Sequence, residues 1–198
     1  VVAVMVPTSA MHWVVFFAAA RLGAVHCGVN VMYRAEELAG QLADARPAAL
    51  VCLDRFLPLV GQLPSGVRPG VVLSTALGDL ADSFFEPYPA LAPWWEAVPE
   101  DLESIAIPLL AAMRDAEPIR DGVVVQARTE PGQIVYTAGT TGRPKGAVQT
   151  HFNLMHNAFS HTLAMPTTRT PVTYSALPLF HTGGFFAFSL PTFARGGM

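Results

Sequence analysis

Lysine is nearly absent from this chain. A single lysine, Lys145, stands against eleven arginines, and charged residues of both signs make up only 14% of the sequence. No basic cluster is present and the formal net charge is −3, so electrostatics give no reason to expect nucleic acid or an anionic membrane as a partner. Cysteine is almost as scarce. Cys27 and Cys52 supply neither a disulfide framework nor metal-ligand spacing, and a reducing, cytoplasmic setting is the expectation. A long apolar run is also missing. The most apolar stretch, residues 13–20, is bounded by His12 and Arg21, well short of the roughly 20 residues a membrane-spanning helix needs. No basic segment leads into an apolar run at the start, so no signal peptide is read there.

Apolar residues are abundant instead, at 52%. With so few charges, that excludes a disordered chain. It suits an α/β fold with a doubly wound parallel sheet, whose strands are buried on both faces and read as unbroken apolar runs. The order of elements agrees. Residues 1–6 read as a strand, Pro7-Thr8-Ser9 as a turn and cap, and residues 10–22 as a helix with Met11, Val14, Val15, Ala18 and Leu22 at helical spacing. Gly23 is placed to end that helix. Strands follow at 24–29, 48–53 and 71–74, separated by helices at 36–45 and 56–63. This β-α-β-α-β-α-β order predicts a parallel sheet.

Residues 75–103 change character, with Pro87, Pro89, Pro93 and Pro99 around Trp94-Trp95, which is loop chemistry. Beyond them a helix is read at 105–114 and strands at 123–126 and 133–136. A short strand at 147–149, a helix at 151–164 capped by Thr150, a strand at 172–177 and a last helix at 183–194 complete the reading. The chain starts inside an apparent core strand and stops at Gly196-Gly197-Met198; both ends read as a piece of a longer protein.

Between two of the strands lies Thr137-Ala138-Gly139-Thr140-Thr141-Gly142-Arg143-Pro144-Lys145-Gly146. Ordinary hairpin loops run about 2–5 residues, so this one is long. Its glycines permit positive φ and close approach to a ligand, and successive backbone N–H groups in such a turn form a concave anion site. Thr137, Thr140 and Thr141 add hydroxyls, Lys145 adds a positive charge, and Pro144 restricts Arg143 to extended geometry. A kinase-type P-loop needs glycine, four residues, then Gly-Lys-Ser/Thr. Counted from Gly139, the second glycine position holds Pro144 and the residue after Lys145 is Gly146, so that pattern fails twice.

Residues 136–146 instead resemble the signature of the adenylate-forming superfamily: acyl-CoA synthetases, adenylation domains of peptide synthetases, and luciferases. Their motif runs Tyr-Thr-Ser-Gly-Thr-Thr-Gly-x-Pro-Lys-Gly, and only Ala138 departs from it. Thr150-His151-Phe152-Asn153-Leu154 and Leu177-Pro178-Leu179-Phe180-His181-Thr182-Gly183-Gly184 are similar to later segments of the family. The resemblance covers nearly the whole chain and is weakest over residues 53–131. It implies part of an AMP-binding N-terminal domain. Residues 1–74 would form a first βαβ region, 75–130 a connecting region, and 131–198 the phosphate-loop region and the start of an acyl-pocket region.

The function implied by the resemblance is ATP-dependent activation of a carboxylic acid, fatty or aromatic, to acyl-AMP, followed by thioester formation with coenzyme A. The same resemblance puts ATP and its pyrophosphate on Thr137, Ala138, Gly139, Thr140, Thr141, Gly142 and Lys145. Mg²⁺ would arrive with ATP, near Thr137 and Thr140. His181, Gly183 and Gly184 would shape the acyl pocket, with Phe185 and Phe186 either lining it or serving as plain core. No catalytic set is complete in this chain, because the family also needs later motifs and a second lysine, and only Lys145 exists. Two alternatives remain at this stage: a peptide-synthetase adenylation domain, and a truncated non-catalytic nucleotide-binding remnant. Glu36-Glu37 reads as support for a helix N-terminus. His151, His156 and His161 recur every five residues, which scatters them around a helix and makes a poor metal site. His12 and His26 show no evident partners in the sequence.

Overall fold

A computed structural model describes residues 1–79, 104–137, 144–165 and 170–197. The proline-rich stretch with Trp94-Trp95 therefore lies outside the described residues, as do Ala138, Gly139, Thr140, Thr141 and Gly142.

The elements in chain order are β1 (Val2–Met5), α1 (Ala10–Arg21), β2 (His26–Gly28), α2 (Ala35–Ala45), β3 (Ala49–Leu53), a 3-10 turn (Asp54–Phe56), α3 (Leu57–Gly61) and β4 (Val71–Thr75). They continue with β5 (Ile107–Pro108), α4 (Leu109–Asp115), β6 (Pro131–Thr137), β7 (Lys145–Thr150) and α5 (His151–Ala164), then a π-helical segment (Gly183–Ser189) and α6 (Leu190–Ala194). Among the described residues, seven strands form one sheet in the order β5-β4-β3-β1-β2-β6-β7. All neighbours pair in parallel except β6 and β7, which are antiparallel. The exception follows from chain length: a parallel return needs a dozen or more residues, and only residues 138–144 separate these two strands.

The winding is doubly directed. From β1 the chain moves to β2 on one side, then crosses back to β3 on the other. Right-handed crossovers in opposite directions put their helices on opposite faces, and alternate residues of β1 show it. Ala3 and Met5 pack with Leu38 and Leu42 of α2 and with Leu57 and Val60 of α3. Val4 and Val6 pack with Met11 and Val15 of α1. A third cluster joins Trp13 and Phe16 of α1 to Val135 of β6, Leu154 and Ala158 of α5, and Phe185, Phe186 and Leu190. Phe185 is buried and its ring stacks on Trp13 with centroids 4.7 Å apart. Phe185 and Phe186 are thus core residues.

Several expected elements differ. The helix expected at 105–114 is split: Pro108 drives the preceding Ile107 into extended backbone, Ile107–Pro108 pairs with β4, and the helix begins at Leu109. The helix expected at 56–63 is one α turn after a 3-10 turn. No strand forms at 123–126. Val123 and Val124 are exposed, and the one inter-segment backbone bond there runs from Val123 N–H to Arg21 O. No strand forms at 172–177 either, where Val172 and Tyr174 are exposed. The last helix is π-wound over Gly183–Ser189 before it becomes α. By contrast α5 occupies the expected span, with Thr150 Oγ1 accepting the Asn153 N–H at 3.2 Å and Asn153 Oδ1 accepting the Thr150 N–H at 3.0 Å. Glu37 supports the start of α2 as expected, its Oε2 accepting the Arg34 N–H at 2.9 Å. No described helix is long and apolar enough to cross a membrane.

His12 and His26 do have partners. Both are fully buried with ring centroids 5.1 Å apart, and Phe185 lies against both rings. His26 Nδ1 meets Gln133 Nε2 of β6 at 3.2 Å, and His12 Nδ1 lies 3.5 Å from Val6 O. Burial pushes the His12 pKa down from 6.5 to about 4, and it lowers His26 as well, with the neighbouring His12 adding to that effect. The sign for stability follows. An unfolded histidine takes up a proton near pH 6.5 and the folded one does not, so stability is whole above pH 6.5 and falls as pH drops toward 4. His12 alone accounts for roughly 3 kcal/mol over that window. Denaturant midpoints measured from pH 7.5 to pH 4.5 should fall steadily below about 6.5, and a flat profile would contradict the buried neutral pair.

Candidate phosphate-loop and acyl-pocket site

The glycine-rich loop springs from a hairpin stem. Thr137 closes β6 and Lys145 opens β7, and the two face each other in register, as do Tyr136 and Gly146. Thr137 Oγ1 donates to Lys145 O at 3.5 Å. Thr137 and Lys145 are both exposed at the mouth of the stem. Gly146 is crowded: a Cβ would stand 2.9 Å from Ile134 Cγ2 and 3.2 Å from Tyr136 Cζ, so those side chains would have to shift. The Tyr136 ring therefore lies over the Gly146 backbone. Its hydroxyl donates to Asp44 Oδ2 on α2. Burial raises the Tyr136 pKa, and accepting carboxylate Asp44 raises it further, so the phenol stays a proton donor at neutral pH.

A cleft of about 700 Å³ lies beside this stem, between α2 and Pro144. Glu36, Glu37 and Asp44 line it. Three carboxylates would repel a polyphosphate, so the cleft itself is a poor phosphate pocket.

The second group of candidates spans the entry to the π helix: His181 precedes it, and Gly183 and Gly184 open it. His181 Nδ1 accepts the Gly183 N–H at 3.2 Å, and Phe185 N–H donates to His181 O at 3.1 Å. Gly184 is buried, and a Cβ there would stand 2.4 Å from Pro178 O and 2.6 Å from Leu177 O. A close backbone crossing thus requires glycine and locks the segment's path. That path runs over the carboxyl ends of the central strands. Thr8, just past β1, donates through Oγ1 to Leu177 O at 3.1 Å. A Cβ on Gly28, the last residue of β2, would stand 3.0 Å from Phe180 Cα.

Since β1, β2 and β6 run parallel, the loop stem at the end of β6 and the 177–184 segment occupy the same edge of the sheet. Open α/β sheets bind ligands outside the carboxyl ends of their strands. The structure therefore brings Thr137 and Lys145 together at the stem and places His181, Gly183 and Gly184 along that same edge. Sequence reasoning missed the Tyr136–Asp44 bond. Tyr136 lay inside the recognised motif, but nothing in the sequence links it to a residue 92 positions away.

Comparison with known proteins bears on the family and the fold. A long-chain-fatty-acid–CoA ligase from Yersinia pestis is 27% identical over 191 residues, covering 91% of this chain and 33% of that protein. A 4-coumarate–CoA ligase-like protein from Arabidopsis thaliana is 28% identical over 198 residues, covering 99% of this chain and 32% of its own length. The crystal structure of ATP-bound MatB from Rhodopseudomonas palustris matches with a TM-score of 0.75 at 26% identity, over 99% of this chain and 33% of that one. The chain spans about a third of the length of these relatives. The family model for AMP-binding enzymes matches residues 1–198 in full, and the chain belongs to that family.

Proposed function

We propose that this chain is the phosphate-gripping part of an enzyme that uses ATP to convert a carboxylic acid to acyl-AMP and then passes the acyl group to coenzyme A. The observation that carries this reading is the hairpin stem of Thr137 and Lys145, set at the same sheet edge as the 177–184 segment. The names of the relatives support the reaction class and suggest a fatty or aromatic acid as substrate.

In the reaction a carboxylate oxygen attacks the α-phosphorus of ATP, the bond to the bridging oxygen breaks, and pyrophosphate leaves. Charge develops on that leaving group. Oriented N–H donors and a fixed cation stabilise it more than they stabilise the ground state. Residues 137–142 and Lys145 supply those groups. Lys145 acts as a compact point charge on the leaving phosphates. Mg²⁺ bound to the ATP phosphates would add Lewis-acid stabilisation. The Thr137 and Thr140 hydroxyls would be its protein contacts. His181, Gly183 and Gly184 would border the acyl chain. Coenzyme A then takes the acyl group through its thiol, releasing AMP.

The test is acid-dependent exchange of labelled pyrophosphate into ATP. The full-length protein should catalyse it with a fatty or aromatic acid, and adding coenzyme A should yield a thioester. The isolated 198-residue chain should not, because Lys145 is its only lysine and is committed to phosphate. Robust exchange by the isolated chain would refute this division of labour. Exchange without thioester formation would point to a peptide-synthetase type of adenylation.

A further inference from the structure

The Tyr136 side chain touches both sides of the phosphate-loop stem. Its backbone lies in β6, one residue before the strand ends, its ring covers Gly146 on β7, and its hydroxyl reaches Asp44 on α2. The location of Asp44 is unfavourable for the helix that carries it. It sits in the last turn of α2, which has no basic residue, and a carboxylate there faces the negative end of the helix dipole. Helix stability therefore does not explain an aspartate at this position. The adjoining cleft does offer a reason. It separates α2 from the stem and is bordered by Tyr136 on the strand before the loop and by Pro144, which immediately precedes the strand after it. Without a bridge the stem would stand over an open cleft of about 700 Å³.

We infer that Asp44 is a positioning residue for the phosphate-loop stem: by accepting the Tyr136 hydroxyl it ties the end of α2 to the stem and fixes where Thr137 and Lys145 stand. The inference rests on the ATP-using reading above and adds a residue to it. A misplacement of about 1 Å in such donors is enough to weaken their grip on a phosphate, and a hydrogen bond to a carboxylate is of the stronger kind.

The experiment uses the full-length protein carrying Asp44→Ala, Tyr136→Phe, both together, or Asp44→Asn. Each of the first two should raise the KM for ATP by about tenfold and leave the KM for the acid within about twofold. The double variant should be no worse than either single one, since both remove the same bond. Asp44→Asn keeps an oxygen that accepts the hydroxyl, and should recover most of the loss. Hydrogen exchange gives a second readout that needs no activity. Residues 134–148 should lose protection in Asp44→Ala and regain it in Asp44→Asn, while β1 and β3 stay protected. An unchanged KM for ATP in both single variants overturns the inference. So do additive effects in the double variant, or loss of protection spread through the whole sheet. If the unaltered protein exchanges pyrophosphate with no acid at all, the functional reading fails, and hydrogen exchange still decides whether Asp44 anchors the stem.

Discussion

Replacing Lys145 by alanine in the full-length protein should lower acid-dependent pyrophosphate exchange by roughly 100- to 1,000-fold, the cost of removing one well-placed donor to developing charge. The side chain is exposed at the start of β7, outside all three hydrophobic clusters. The melting temperature should therefore stay within about 2 °C, because exposed substitutions away from such clusters change stability by only about 0.5 kcal/mol. Lys145→Arg should recover only part of the loss, because a planar fork replaces a compact charge. A loss of exchange that tracks a loss of folding would argue that Lys145 is structural. Unaltered exchange would remove it from the phosphate grip.

The second large effect is expected at Gly184. A methyl group there would meet Pro178 O at 2.4 Å and Leu177 O at 2.6 Å. Both are backbone atoms, and real Cβ atoms do not come that close. Either the π segment or the 177–178 backbone has to move. Phe185 follows immediately and is stacked on Trp13 and packed on His12 and His26, so a shift propagates straight into the core. Gly184→Ala should cost about 3 kcal/mol, as overpacked sites do, and should raise the KM for the acid more than the KM for ATP. Denaturant melts and steady-state kinetics read the two effects separately. A variant with unaltered stability and unaltered acid KM would show that the close crossing positions nothing.

Legibility in the sequence followed locality. The family was readable because its signature lies in eleven consecutive residues, 136–146, and the spacing of glycine, threonine, proline and lysine is itself the signal. Helix α5 was readable because Thr150 and Asn153 cap each other three positions apart. Strands β1 and β3 were readable because burial on both faces demands unbroken apolar runs. The misses share a different cause. Val123, Val124 and Val125 look like a strand, but two of their side chains lie over Gly23 while the run pairs with no neighbour in the sheet. Strand β5 is two residues long and owes its existence to β4, not to its own composition. The π winding after Gly183 gives no periodic signal distinct from an α-helix over seven residues. His12 with His26, and Tyr136 with Asp44, are pairs of tertiary contact, and a single sequence carries no record of such pairs.

The phosphate-grip role proposed for residues 137–145 comes down to which part of the nucleotide they would hold. Binding of ATP, pyrophosphate and AMP to the full-length protein should be measured by titration calorimetry with Mg²⁺ present, before and after Lys145→Ala. Affinity for ATP and pyrophosphate should fall by at least about tenfold while affinity for AMP holds. Equal losses for all three ligands, or none, would contradict a pyrophosphate grip by this loop.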